Sequence, residues 1–90
     1  MSHANPPGRI HGRVRTPDGR PVPDASIRII DAGIVVDLQK TNGHGEFTSR
    51  LLFAGRYRIE VIADGTRGFL DDVDVVLGRT TVVDVPVSDP

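Results

Sequence analysis

Glycine and proline recur along this chain at intervals that leave no room for an ordinary helix. Between residues 24 and 90 no stretch free of both exceeds nine residues, and five reach nine: 24–32, 34–42, 46–54, 56–64 and 69–77. A typical helix runs about 11–12 residues, and an interior glycine or proline costs it about 1 or 3 kcal/mol. A strand of about 5–6 residues plus a turn fits each interval. Composition points the same way. There are 12 Val, 7 Ile and 6 Thr against 5 Ala and 5 Leu, and branching at Cβ suits a pleated surface better than a helix. Ninety residues suffice for a single domain with one small core. The chain therefore reads as one all-β domain.

Within the intervals, apolar residues alternate with polar ones at period two, the mark of strands buried on one face. Ile10, Gly12 and Val14 form the inner face of a first strand, and Ala25, Ile27 and Ile29 that of a second. Ile34, Val36 and Leu38 are expected inward on a third, and Phe47 on a fourth that slips phase through a bulge near Leu51-Leu52. Tyr57, Ile59, Val61 and Ala63 mark a fifth strand. A loop over Asp64–Gly68 leads to a sixth carrying Val73, Val75 and Leu77, and a seventh carries Val83, Val85 and Val87. Thr16-Pro-Asp-Gly-Arg20 and Thr41-Asn-Gly-His-Gly45 are turns on chemistry alone, since Pro pre-sets φ and Asp-Gly or Asn-Gly accommodates a positive one. Seven short strands at this spacing predict a two-sheet sandwich.

Several functions are disfavoured at this point. A net charge of −1 argues against a nucleic-acid or anionic-membrane binder held by long-range electrostatics. Without cysteine there is no disulfide framework and no thiolate chemistry. His3, His11 and His44 share no metal-ligand spacing, so neither a metal nor another cofactor is expected. Asp71, Asp72 and Asp74 read as a solvated strand edge rather than a calcium site, with Asp72 and Asp74 on one face. Ser2, Ser26, Ser49 and Ser88 carry no nucleophile elbow. No catalytic residue is assigned, and the chain is not expected to be an enzyme.

The punctuation also matches a family. Ile10-x-Gly12-x-Val14 leads into Gly19-x-Pro21-Val22-x-x-Ala25-x-Ile27. Thr41-x-x-x-Gly45-x-Phe47 follows, then Leu52-x-x-Gly55-x-Tyr57-x-Ile59-x-Val61-x-Ala63-x-Gly65, and finally Val73-x-Val75, Gly78 and Val83-Asp84-Val85. This order resembles the carboxypeptidase regulatory-like domain, one of the transthyretin-like (prealbumin-like) β-sandwiches. The resemblance implies a seven-stranded, antiparallel-type two-sheet sandwich of transthyretin-like, Ig-like topology over residues 9–87. Residues 1–8 would be a disordered lead-in and 88–90 a tail. Gly45 and Gly55 would occupy positive-φ turn positions, and Tyr57 would need a partner for its hydroxyl.

The resemblance further implies that the first strand pairs with the last, opposite a sheet of the second, third, fifth and sixth. Arg28 and Arg58 would then be neighbours on one outer face beside Asp72 and Asp74, and Arg13 and Arg15 would lie beside Asp84 on the other. These arginines are either an anion-binding surface or, the favoured reading, members of cross-strand ion pairs worth a few tenths of a kcal/mol each. Phe53 stands at a loop tip, as a partner contact or a cap on the core. Phe69-Leu70, after a Gly-rich loop, is a second such candidate, with placement in the core the favoured reading for Phe69. Candidate partner contacts are accordingly Phe53, Phe69, Leu70, Arg13, Arg15, Arg28 and Arg58. The expected role is a non-catalytic accessory module that packs on or tethers a partner protein or enzyme subunit. A carbohydrate-binding or self-associating surface is the alternative, the last strand being the candidate edge, blunted by Pro86. A hydroxyisourate hydrolase is disfavoured because the Tyr-Arg-Gly-Ser signature is missing. No nucleic acid or membrane is expected as partner. The location would be cytoplasmic if this is the full chain, with no signal peptide over residues 1–8, and extracytoplasmic if it is a piece of a secreted protein.

Overall fold

The structure, a computed structural model, describes residues 7–88. Its strands are β1 (Arg9–Arg15), β2 (Ser26–Asp31), β3 (Ile34–Lys40), β4 (Glu46–Thr48), β5 (Gly55–Ala63), β6 (Thr66–Val75) and β7 (Thr80–Pro86). They form two sheets, β4-β1-β7 and β3-β2-β5-β6. The inner faces meet in one core. Ile10, Val14, Ala25, Ile27, Ile29 and Ile59 are fully buried, and Phe47, Tyr57, Val61, Val73, Val75 and Val85 nearly so. Each Val or Ile withdrawn from water is worth about 1.5–3 kcal/mol. Gly12 is the inner-face exception. The Phe47 ring occupies the place where its side chain would stand.

The period-two reading holds for β1, β2, β5 and β7, and for the second half of β6. It fails in instructive places. The sandwich is not wholly antiparallel, because β1 and β7 run parallel. In β3 a register shift opposite Ile29/Ile30 changes the phase. Leu38 then stands beside Arg28 on the outer face and is 68% exposed, while Asp37 and Gln39 pair with Ile29 and Ile27 on the inner side. No bulge carries β4 through Leu51-Leu52. The strand ends at Thr48, where Ser49 closes it: its Oγ accepts from Ile10 N (2.9 Å) and donates to Arg50 O (2.7 Å). Residues 64–68 are not a loop, since Ala63 pairs directly with Thr66 across a two-residue turn. Of the turn glycines, Gly19, Gly45, Gly65 and Gly78 do have positive φ, whereas Gly55 begins β5 without it.

Two corners close the sandwich. At one, the Asp37 carboxylate accepts Arg50 N (2.8 Å), Leu38 N (2.9 Å) and Gln39 Nε2 (3.1 Å), which ties β3 to the segment after β4. At the other, β6 meets the chain leaving β7: Ser88 N donates to Arg67 O (3.0 Å), and Gly68 lies so close to the Pro86 carbonyl that no side chain fits between them. β7 is the edge of its sheet, as expected, with its far end against β6. The lead-in expected over residues 1–8 is described only at its end, where Gly8 is buried and paired with Leu52. Residues 1–6, 89 and 90 lie outside the described residues.

Candidate interaction surfaces

The strand directions sort every loop to one of two ends, and the ends differ in chemistry. At one end lie the β1–β2 loop (16–25), the β3–β4 loop (41–45) and the β5–β6 turn (64–65), rich in Asp, Asn, Gly, Pro and Thr. At the other lie the β2–β3 turn, the segment 49–54, the β6–β7 loop and the entry of the chain at Pro7-Gly8. Six of the nine large hydrophobic residues exposed among the described residues gather at this second end. They are Phe53 (83%), Ile34, Leu51, Val76, Val35 and Leu77. Scattered surface hydrophobics need no explanation, but six gathered at one end of the fold do.

These tips are held together. Gly8 and Leu52 exchange both backbone hydrogen bonds (2.9 and 2.8 Å), and Arg9 N donates to Arg79 O (3.0 Å). The buried Tyr57 donates its hydroxyl to Phe53 O (2.6 Å), which supplies the partner its burial demands and fixes the loop. Burial, and secondarily the charge of Asp31, pushes the Tyr57 phenol above its ordinary value. Exposed Arg9, Arg50 and Arg79 border the apolar end and form no ion pair among the described residues, while Arg56 pairs with Asp74 (3.2 Å). Phe53 is thus a loop tip and not a cap on the core.

The outer face of the four-stranded sheet carries the second group. Strand pairing sets its side chains in rows: Leu38–Arg28–Glu60–Phe69 in one, Lys40–Ser26–Ile62–Arg67 in the next. Phe69 is 53% exposed here, so its placement with the core is corrected, whereas Leu70 on the opposite face packs against the core. Phe69 faces outward because the two-residue turn at Asp64-Gly65 starts β6 early and pairs Phe69 with outward Glu60. Arg58 donates to Asp71 (2.8 Å) and Glu60 (3.0 Å), and its guanidinium lies 4.1 Å over the Phe69 ring. The bond to Asp71, then that to Glu60, holds its proton more tightly than usual. The expected neighbours of Arg58 are therefore corrected: Asp71 and Glu60 take that place, Asp74 serves Arg56, and Asp72 sits at a bulge with φ 57°.

On the smaller sheet Arg13 meets Asp84 at 3.6 Å, as expected, while Arg15 stands opposite Pro86 and forms no ion pair among the described residues. His11 Nδ1 is hydrogen-bonded to Thr48 Oγ1 (2.9 Å), His44 lies exposed in a turn, and His3 is outside the described residues. At the polar end the Thr16 hydroxyl, and next Arg20, hold the Asp18 carboxyl below its ordinary value. Among the described residues no three His, Asp or Glu side chains gather as a metal site would require.

Of the apolar end, the sequence places Phe53 alone at a loop tip; Val35 and Val76 read as outward residues on strand faces, Ile34 and Leu77 as inward ones, and Leu51 as part of a bulge. The signal that could have found them was the contrast between apolar and polar connections once the strand directions are laid out.

A family model described as the carboxypeptidase regulatory-like domain matches residues 9–88. Among solved structures, the chain is similar to a proposed carbohydrate-binding protein from Bacteroides uniformis, with TM-score 0.72 and 20% identity over 91% of this chain and 41% of that one. It is also similar to a chain from a type II cohesin–X–dockerin complex of Acetivibrio cellulolyticus, with TM-score 0.61 and 13% identity over 87% of this chain and 56% of that one. At such identities the likeness is one of fold. The chain spans about half or less of each of these relatives. Comparison with curated proteins returns no match.

Proposed function

The chain belongs to the carboxypeptidase regulatory-like domain family, and from that premise we propose that it is a non-catalytic accessory module that docks end-on against a partner protein. The observation that carries this reading is the collection of Ile34, Val35, Leu51, Phe53, Val76 and Leu77 at one end of a sandwich whose other end is polar. Aromatic and aliphatic tips on a rigid scaffold suit the desolvated centre of an interface. Arg9, Arg50, Arg56 and Arg79 around them suit its rim. The carbohydrate-binding description of one structural neighbour supports a second reading, a glycan surface. Against it, there is no Trp, the one Tyr is buried, and Phe69 already carries a guanidinium on its ring.

A photoreactive residue placed at Phe53, compared with one at His44 on the polar end, tests the docking in cells that naturally make the protein. The expected result is one predominant protein adduct from position 53, absent from position 44 and lost when Leu51 and Ile34 are changed to Ser. Adducts arising only from position 44, or none from either, would overturn the reading.

A further inference from the structure

The outer face of the four-stranded sheet carries an unbalanced charge, for a reason visible in its register. Arg28 stands directly across from Glu60, so a simple cross-strand pair is what the sequence offers. Arg58 pre-empts it. This one guanidinium binds both Glu60 and Asp71 and rests on Phe69, so both carboxylates of the central face are occupied. Arg28 is left with no ion pair among the described residues, and the same is true of Lys40 and Arg67 in the adjoining row. Arg28, Arg58, Arg67, Ile62 and Phe69 line a single hollow together with the Arg58-bound Glu60, and Leu38 stands beside Arg28 on its other flank. Asp24 and Asp64 border the neighbouring hollow next to Arg67 without reaching ion-pair distance. An immobilised cation, unpaired cations around it and exposed apolar side chains therefore share one flat surface.

We propose that this face is a second binding site, separate from the apolar end, and that it takes an acidic peptide segment of a protein partner. Arg28 would meet a carboxylate with its two-pronged donor edge, a geometry guanidinium matches better than ammonium. Ile62, Leu38 and the free part of Phe69 would cover apolar side chains of the same segment. The occupant is a peptide rather than a sugar because the face lacks an open aromatic platform, and Ser26 is its one hydroxyl in these two rows. Nucleic acid is a poorer match, since Arg58 already covers the Phe69 ring and the face offers no open stacking surface for bases. A second copy of the same face would bring its own surplus of cations.

The probe is a short peptide of Glu interspersed with Leu, titrated at physiological salt into isotope-labelled protein and followed by amide shifts. Its Gln counterpart and an oligogalacturonate serve as parallel titrants. The Glu peptide is expected to shift the amides of Arg28, Ile62, Arg67 and Phe69, and Arg28→Gln to weaken it roughly tenfold, the worth of one charge-assisted hydrogen bond. Arg13→Gln on the opposite sheet is expected to leave it unchanged. Equal shifts from the Gln peptide, shifts confined to the smaller sheet, no shifts at all, or tighter binding of the oligogalacturonate would each overturn the proposal. None of these outcomes touches the end-on docking, which is read at Phe53.

Discussion

Single residues in this fold are placed by what their neighbours leave them. Tyr57 is inward, as its alternation with Arg56 and Arg58 requires, and its hydroxyl is satisfied by Phe53 O (2.6 Å). Its phenol pKa is raised, so the native state favours the neutral form. The resulting stabilisation is complete below the unfolded value of about 10 and is lost as the pH rises through the folded one. As Tyr57 is the only tyrosine, phenolate absorbance reads it alone. The midpoint is expected above that of free tyrosine, with unfolding promoted on the same limb. Tyr57→Phe is expected to cost about 1 kcal/mol at neutral pH through the lost hydrogen bond and to abolish the alkaline limb. Ala32 is a different case. It stands with Gly33 between paired Asp31 and Ile34, with φ of 48° and 85°. Positive φ at both positions is the type I′ hairpin geometry, which prefers Asn-Gly. Ala there carries the left-handed penalty of its Cβ. Ala32→Asn is expected to raise stability by about 0.5–1 kcal/mol, measurable as a shifted denaturation midpoint at constant slope.

At the scale of the element, legibility followed burial on one face. β1, β2 and β5 were readable because a core covers one side and water the other, so Ile10, Ile27 and Ile59 announce the inner face by period alone. β3 was not, because the phase change opposite Ile29/Ile30 is a property of pairing and leaves no mark in its own residues. Asp37 misled for the same reason. A carboxylate within an apolar run is normally the outward residue, yet this one turns inward at the sheet margin, where three donors await it. Asp37→Ala removes all three acceptor contacts at once. It is expected to destabilise the domain by about 1–3 kcal/mol, and to speed amide exchange at Leu38 and Arg50 ahead of the core strands. Uniform acceleration across β2 and β5 would place the defect in the core and contradict the corner role.

Over the whole molecule, the Gly and Pro spacing that excluded helices also determined which loops share an end. An odd number of strand reversals puts segments 32–33, 49–54 and 76–79 together, far from Asp18, Asn42 and Asp64. Seven strands in two sheets, with one pairing of first and last, were legible. The polarity between the two loop ends was not, because it arises only when three separated apolar connections are folded to the same end. That polarity separates stability from association. Leu51 and Phe53 are 50% and 83% exposed, so changing both to Ser removes little buried area and should alter folding stability by within about 0.5 kcal/mol per site. Ile27→Ala in the core should cost about 2–5 kcal/mol. Binding of an environment-sensitive apolar dye to the folded protein is expected to fall in the Leu51→Ser/Phe53→Ser variant while its melting temperature holds. Ile27→Ala should do the reverse, lowering the melting temperature and increasing dye binding. A Ser variant that melts like Ile27→Ala would mean that the tips serve the core and not a partner.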